Sequence, residues 1–217
     1  MTGPPVPPAG ARALVVTVSD RAHRGVYPDR SGPLLVEALA ALGFAVPAAV
    51  IVPDEQAEIT SVIRAAADAG TDLVVTTGGT GLGPRDVTPE ATRGLLEREL
   101  PGLSEALRAA GRDKVPTAVL SRGLAGTVGA TLVVNLPGST GGVRDGIGVL
   151  APVVAHAIAQ LRGDTDHAAP SHAAPSHAAP SHADPSHADP SHAGPSGSGA
   201  GHLPPSGRAS AAGDGAG

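Results

Sequence analysis

Apolar residues in this chain form short continuous runs that alternate with longer stretches in which apolar positions recur every three or four residues. The continuous runs are typical of strands buried on both faces of a parallel sheet. They predict strands at residues 13–18, 44–52, 72–76, 118–120 and 131–136. Helical periodicity is clearest where Ile59, Val62, Ile63 and Ala66 share one face. The periodic stretches predict helices at residues 32–42, 56–69, 91–100, 102–111 and 143–161.

Capping residues mark the ends of several predicted helices. Ser31 is the predicted N-cap of the first helix, and Gly43 is its predicted stop. Thr88 and Pro89 have the order of an N-cap followed by a first helical residue.

Strands that alternate with helices form βαβ units. The predicted fold class is therefore α/β, with three α/β/α layers and a mostly parallel central sheet that carries helices on both faces. The loops that follow the strands then meet at one edge of the sheet, where open α/β sheets bind their ligands.

The loop after the third predicted strand, TTGGTGLGPRDVTPE at residues 76–90, is the most informative of these. Glycines 78, 79 and 81 can adopt positive φ and leave backbone N–H groups uncovered, and Thr77 and Thr80 add hydroxyl groups, so the loop suits a phosphate. A tight turn that needs glycine only for steric reasons is the alternative. The loop lacks the GK[ST] of a Walker A motif and the spacing of GxGxxG, which disfavours ordinary nucleotide hydrolysis and dinucleotide binding.

Composition limits the remaining possibilities. The chain has 217 residues, a net charge of −5 and no cysteine, which excludes disulfides and zinc-thiolate sites. Its acidic excess lies mostly after residue 163, so the folded part has no basic stripe for nucleic acid. The N-terminus lacks the pattern of a signal peptide, and no apolar run is long enough to cross a membrane, so we expect a cytoplasmic protein.

The C-terminal region differs in kind from the rest. Six copies of a five-residue unit, HAAPS and its variants HADPS and HAGPS, run from residue 167 to residue 196. Proline in every unit excludes a helix, and the units offer little apolar surface, so we predict a disordered spacer, with a transient metal-binding histidine tract as the alternative. The predicted organisation is a flexible N-terminus at 1–12, one domain at 13–163 and a disordered tail at 164–217.

Four motifs in order resemble one known family. They are VSDRAHRGVYPDRSGP, IVPDEQ, the segment from Gly78 to Glu90, and VVNLPGS. Together they resemble the molybdopterin-binding domain of the MogA/MoaB family over roughly residues 14–161, and SDR and PDEQ point to its MogA-type enzymes. The resemblance implies adenylylation of molybdopterin by ATP with release of pyrophosphate, a homotrimer, and possible contact with the protein that inserts molybdenum.

The implied reaction brings two polyanions together, so the site needs Mg²⁺ and oxygen ligands for it. Asp54 and Asp86 are the candidate catalytic and metal-binding carboxylates, because both follow strand ends and match acidic positions of the family motifs. Asp54 could instead cap the next helix, and Asp86 could form a surface ion pair with Arg85.

The remaining candidate residues are predicted to bind the substrates, ATP and molybdopterin. For Asp20 and Arg21 a salt bridge that fixes the loop is the alternative, whereas Ser139 and its neighbouring N–H groups would form a second anion site at a helix start. The predicted substrate-binding residues are Ser19, Asp20, Arg21, Thr77, Gly78, Gly79, Thr80, Gly81, Ser121, Arg122, Asn135, Pro137, Gly138 and Ser139.

Two other functions remain open at this point. A MoaB-type protein would bind molybdopterin without efficient adenylylation, although the presence of both Asp54 and Asp86 argues against lost activity. A non-enzymatic scaffold or carrier module, tethered through the tail, is the alternative from a different class.

Overall fold

A computed structural model describes residues 4–164, which contain six strands and seven α-helices. The predicted tail lies outside the described residues except for Asp164. The strands are β1 (Ala13–Val18), β2 (Val50–Val52), β3 (Leu73–Thr77), β4 (Arg98–Glu99), β5 (Ala125–Val128) and β6 (Thr131–Leu136). The helices are α1 (Asp20–His23), α2 (Ser31–Ala41), α3 (Gln56–Asp68), α4 (Thr88–Arg93), α5 (Pro101–Arg112), α6 (Thr140–Leu150) and α7 (Val154–Leu161).

The strands form one sheet in the order β2-β1-β3-β6-β5-β4. The first four strands in this order are parallel, and β5 runs antiparallel to both β6 and β4. Gly129, at φ 56°, lies in the tight turn that joins β5 to β6. The mostly parallel sheet is therefore confirmed, with an antiparallel extension at one side.

Helices cover both faces of the sheet, which confirms the three-layer α/β/α fold. Neighbouring valines of one strand point to opposite faces, so Val75 packs with one core and Val74 with the other. The first core contains residues of α2, α6 and α7, and the second contains residues of α3 and α4. Strands buried on both faces explain why β1, β3 and β6 appear as continuous apolar runs.

Two predicted strands were wrong in whole or in part. Residues 116–120 form a 3₁₀ turn, not a strand at 118–120, and Val119 and Leu120 are about half exposed. The true strand of this region is β5. In the predicted strand 44–52 only β2 is regular, because the chain before it makes a single bridge between Arg12 and Ala45 and then continues as a loop.

Two predicted helices were also wrong in extent. The helix at 91–100 ends at Arg93, where Gly94 follows, and the chain then enters the edge strand β4. The helix at 143–161 is two helices, because Pro152 lies between α6 and α7. No single helix in the described part is long and apolar enough to cross a membrane, and α6 and α7 reach that length only as a pair bent by 61°.

The start of α2 is capped by a different residue from the one predicted. The carboxylate of Asp29 accepts from the N–H groups of Ser31 (3.0 Å) and Gly32 (2.9 Å), and Ser31 itself lies inside the helix. Asp29 also accepts from the hydroxyl of Thr17 over 2.7 Å, which ties the loop before α2 to β1.

Candidate active site

The loops that follow β1, β2, β3 and β6 meet at the carboxyl edge of the sheet. The N–H of Ser19 donates to the carbonyl of Val52 over 2.9 Å, which joins the ends of β1 and β2. The N–H of Gly78 donates to Leu136 over 3.1 Å, which joins the ends of β3 and β6. The structure therefore brings most of the predicted site residues to one edge.

The glycine turn after β3 requires glycine at two positions. Gly78 has φ 104°, and a Cβ there would lie 2.3 Å from the carbonyl oxygen of Val18. Gly79 has φ 63°, and its Cβ would lie 2.4 Å from the hydroxyl of Thr88. Gly81 does not have positive φ, but its Cβ would lie 2.9 Å from the carboxylate of Asp86. Backbone conformation and close neighbours thus exclude a side chain at Gly78 and Gly79, and a side chain at Gly81 would displace the carboxylate of Asp86.

This turn presents unused backbone donors. Within residues 4–164, the N–H groups of Gly79, Thr80 and Gly81 have no hydrogen-bond acceptor in the protein. Successive N–H groups without an acceptor can hold an anion, and Gly79 and Gly81 have no side chain that would cover them. This arrangement has the chemistry of the predicted phosphate cradle.

A second set of free donors lies at the start of α6. The hydroxyl of Ser139 accepts from the N–H of Gly142 over 3.0 Å and so caps the helix. The N–H groups of Gly138, Ser139 and Thr140 have no acceptor among the described residues. The N-terminus of an 11-residue helix favours negative charge, so this turn also suits an anion. Gly138 lies next to the glycine turn, because its Cβ would be 3.2 Å from the Cα of Gly78.

Asp54 does not cap α3. Glu55 occupies the N-cap position of that helix without a side-chain hydrogen bond. The Oδ2 atom of Asp54 instead accepts from the N–H of Asp20 over 2.7 Å, and Oδ1 has no donor among the described residues. Burial raises the pKa of Asp54, and the nearby charges of Asp20 and Asp86 act in the same direction.

Arg85 pairs with Asp20 and not with its neighbour Asp86. Its Nε and Nη2 atoms donate to the two carboxylate oxygens of Asp20, each over 3.0 Å. This two-point hydrogen bond lowers the pKa of Asp20. Arg21 is not the partner of Asp20, since its guanidinium lies 5.2 Å from the ring centre of Tyr27. The predicted alternative, a salt bridge that fixes the loop, is therefore present with a different arginine.

Asp86 lies against the glycine turn with one oxygen engaged. Its Oδ2 atom accepts from the N–H of Gly83 over 2.7 Å. Within residues 4–164, no group of three or more carboxylate or imidazole side chains could hold a metal alone. The pair of Asp54 and Asp86 still suits Mg²⁺, which often takes one or two protein carboxylates and completes its coordination with water and substrate phosphates.

Arg122 and Asn135 contact protein groups. The three nitrogens of the Arg122 guanidinium each donate to the segment from Gly81 to Glu90. The buried amide of Asn135 accepts from Leu124 and donates to the hydroxyls of Thr76 and Thr92. Arg122 thus bonds the loop after β3, and Asn135 joins β3 and α4 to the chain before β5, which the spacing of residues in the sequence does not show.

Two cavities flank the turn that contains Ser139. One of about 440 Å³ lies among α5, the 3₁₀ turn and the start of α6, and its lining includes Thr80, Ser121, Asn135 and Pro137. The other, of about 380 Å³, is lined by residues at the ends of β1 and β3 and by the loop before α2. Its lining includes Ser19, Tyr27, Asp29, Thr77, Gly138 and Ser139.

Sequence reasoning missed three residues of this region. Arg85 holds Asp20, Tyr27 lines the smaller cavity, and Thr88 donates through its hydroxyl to the carbonyl of Gly78 over 2.9 Å. Tyr27, the single tyrosine of the chain, was part of a quoted motif, and Thr88 was assigned only a capping role. Tyr27 and Thr88 could therefore have been selected from the motifs, but their contacts with the site depend on the fold.

The chain is similar to proteins of molybdenum cofactor biosynthesis. Residues 14–156 match a family described as "Probable molybdopterin binding domain". A "Molybdenum cofactor biosynthesis bifunctional protein" of Chlorobaculum tepidum is 42% identical over 153 residues, which are 70% of this chain and 49% of that protein. A "Molybdopterin adenylyltransferase" of Helicobacter pylori is 39% identical over 156 residues, which are 69% of this chain and 87% of that protein. The chain thus spans about half the length of the bifunctional relative and most of the shorter one.

Solved structures show the same similarity. The Mog protein of Mycobacterium ulcerans is 47% identical with a TM-score of 0.67, and the match covers 70% of this chain and 99% of that one. The enzyme MoaB of Thermus thermophilus is 49% identical with a TM-score of 0.66, and the match covers 70% and 97%. Solved structures named Mog and MoaB are therefore almost equally similar to this chain in sequence.

Proposed function

The chain belongs to the MogA/MoaB family of molybdopterin-binding domains, and from that premise we propose that it is a molybdopterin adenylyltransferase. In the proposed reaction, a phosphate oxygen of molybdopterin attacks the α-phosphorus of ATP. The bond between that phosphorus and the oxygen bridging to the β-phosphate breaks, so the products are adenylyl-molybdopterin and pyrophosphate. The observation that carries the proposal is the pair of adjacent anion sites, one at Gly79 to Gly81 and one at Gly138 to Thr140, beside two carboxylates.

The two anion sites fit a reaction between two phosphate-bearing substrates. Each provides backbone N–H groups without an acceptor in the described residues, so a phosphate replaces water there without breaking a protein hydrogen bond. The close approach of Gly138 to Gly78, 3.2 Å from an added Cβ to the Cα atom, supports two sites that lie side by side. Holding the reacting groups together supplies much of the catalysis in transfers of this kind, and no protein nucleophile is needed.

Asp54 and Asp86 are the residues that would hold Mg²⁺. The metal ion would neutralise phosphate charge in the ground state and in the transition state. Asp54 Oδ1 is free of donors in the described residues, and both carboxylates lie against the glycine turn, 3.3 Å and 2.9 Å from Cβ atoms added at Gly79 and Gly81. The pair of Arg85 and Asp20 also affects the local charge, because Arg85 neutralises the carboxylate of the residue that is hydrogen-bonded to Asp54.

Pyrophosphate release tests the proposal. Purified protein mixed with molybdopterin and MgATP is expected to release pyrophosphate, and Asp86→Asn is expected to stop release while leaving molybdopterin binding nearly intact. Asparagine preserves the acceptor for the N–H of Gly83, so the variant removes charge with little change of shape. Asp68→Asn, an exposed aspartate at the end of α3, is the matched control.

The result separates the candidate functions. Tight molybdopterin binding by the wild-type chain with no pyrophosphate above background would favour the MoaB-type binding protein or the scaffold. Full turnover by Asp86→Asn would show that the role of Asp86 is wrong.

The proposal has three further parts. We propose a homotrimer, which size-exclusion chromatography with light scattering tests directly. We also propose that the protein contacts the molybdenum-insertion protein. Its proposed location is the cytoplasm. Co-purification with the molybdenum-insertion protein tests the contact, and cell fractionation tests the location.

A further inference from the structure

Arg122 makes four hydrogen bonds to the segment that carries Asp86. Its backbone N–H donates to Thr80 over 2.9 Å, and its Nε atom donates to the carbonyl of Gly81 over 2.7 Å. Its Nη2 atom donates to the carbonyl of Asp86 over 2.5 Å, and its Nη1 atom pairs with Glu90. We propose that Arg122 is a positioning residue that fixes the backbone at Asp86, and this inference rests on the proposed function.

The side chain of Arg85 ties the segment from Leu82 to Arg85 to Asp20, but within residues 4–164 no backbone group of this segment bonds outside the loop. These residues are exposed, and the side chain of Leu82 is 67% accessible to solvent. One end of the loop is held by Thr88, whose N–H donates to the carbonyl of Gly79 over 3.0 Å. The carboxylate of Asp86 bonds only within its own turn, to Gly83. Among the described residues, Arg122 is therefore the residue outside the loop that bonds the backbone of Asp86, whereas Arg85 holds the loop through its side chain.

The three side-chain contacts of Arg122 require an arginine. A planar guanidinium presents several donors in a fixed fork, and lysine presents one ammonium on a flexible stem. Glu90 orients the fork from the side opposite the carbonyls, and the hydrogen bond from Arg122 lowers the pKa of Glu90. Lysine at this position would retain the charge but could not reach Gly81, Asp86 and Glu90 together.

Arg122→Lys tests the inference, with Arg93→Lys as the matched control. Arg93 is an exposed arginine of α4 that pairs with Glu99 at 2.6 Å, and within residues 4–164 its guanidinium makes no hydrogen bond to the segment from Gly81 to Glu90. We expect Arg122→Lys to lower kcat by about 10- to 100-fold, because small misplacements cost rate on this scale. The KM for ATP at saturating Mg²⁺ should change less, and the Mg²⁺ concentration for half-maximal rate should rise. Arg93→Lys should match the wild type in all three.

Amide hydrogen exchange gives a readout that is independent of turnover. Without substrates or metal, the amides of Gly83 and Asp86 should exchange about tenfold faster in Arg122→Lys, while amides in β3 and β6 stay unchanged. Unchanged exchange in the loop would overturn the inference, and so would a rise in KM with kcat unchanged, which indicates a direct substrate ligand. If the wild type releases no pyrophosphate, the proposed function fails, but the exchange experiment still decides whether Arg122 fixes the loop.

Discussion

Asp20 and Asp54 exchange hydrogen bonds, since the backbone N–H of each residue donates to the carboxylate of the other. The two distances are 2.7 Å to Asp54 Oδ2 and 3.2 Å to Asp20 Oδ1. These residues follow β1 and β2, so the exchange fixes two neighbouring strand ends and places two carboxylates side by side. Arg85 neutralises the charge of Asp20, whereas Asp54 is partly buried and has a raised pKa.

Asp54→Asn is expected to abolish pyrophosphate release and to raise the melting temperature at neutral pH. Because burial raises the pKa of Asp54 above its ordinary value of 3.8, the folded chain binds more protons than the unfolded chain in the window between the two values. Stability from this group therefore falls as pH rises through that window. Asparagine avoids the free-energy cost of an ionised carboxylate at this partly buried position, and its side-chain oxygen still accepts from the N–H of Asp20. We therefore expect the melting temperature to rise by an amount on the order of 2 °C.

Thermal unfolding across pH measures this effect. The gain from Asp54→Asn should be present at neutral pH and should vanish as pH falls below the window. A variant that is less stable than the wild type at every pH would contradict the raised pKa of Asp54.

Gly78→Ala is expected to destabilise the fold and to stop activity. The residue has φ 104°, and a Cβ would meet the carbonyl of Val18 at 2.3 Å, so the cost should be at least about 1–3 kcal/mol. Gly148→Ala is the matched control, because Gly148 is an exposed residue inside α6 with no atom within 4 Å of an added Cβ. That change should stabilise the chain by about 0.5–1 kcal/mol. Urea denaturation compares the two, and equal stability of both variants would refute the steric argument.

Arg162→Ala is expected to destabilise the chain without altering the site. Its guanidinium donates to the carboxylate of Asp72, with the Nε atom 2.7 Å and the Nη2 atom 2.9 Å from its two oxygens, and Asp72 is buried. Loss of one partner of a buried pair costs about 3–5 kcal/mol, and the partial exposure of Arg162 favours the lower end. Arg112→Ala removes an exposed pair with Asp113 and should change stability by less than about 1 kcal/mol.

The effect of Arg162→Ala should depend on pH. Burial opposes the charge of Asp72, but hydrogen bonds from Arg162 and Arg12 outweigh it and lower the pKa of Asp72. This group therefore contributes stability above its unfolded pKa, and the contribution is lost as pH falls through the folded value. The difference between wild type and variant in chemical denaturation should accordingly shrink in acid. A constant difference would show that the ion pair is not its source.

Deletion of residues 165–217 is expected to leave thermal stability and pyrophosphate release unchanged. Asp164 is retained in this design because its N–H donates to the carbonyl of Ala159 over 2.9 Å at the end of α7. Calorimetry and the pyrophosphate assay provide the comparison. A large loss in either would mean that the repeats contact the domain.

The sequence predicted the central strands and the edge that carries the site. Strands β1, β3 and β6 are buried on both faces, so their apolar runs are unambiguous. Short or half-exposed segments were not predictable in this way, because Val119 and Leu120 have the composition of a strand but pack on one side only. Pro152 indicated a break between α6 and α7 that helical periodicity alone concealed.

Residue types were easier to predict than their partners. The motifs placed acidic residues at the carboxyl edge, but the partner of Asp20 is Arg85, which is 65 positions away in the chain. Arg122 contacts a loop that begins about 40 positions earlier. Such contacts depend on the order of β1, β3, β6 and β5 in the sheet, and local sequence patterns contain no information about which strands are neighbours.

Arg162 also binds the carbonyl of Ala9, over 3.1 Å, so both ends of the described domain are fastened at the edge of the sheet opposite the glycine turn. Ala9 and Arg162 therefore lie on the opposite side of the sheet from the loops that carry Asp54 and Gly78. Longer relatives, of which this chain spans about half, combine such a region with other sequence in one polypeptide. The placement of residues 9 and 162 leaves the loops at the carboxyl edge apart from both ends of the described domain.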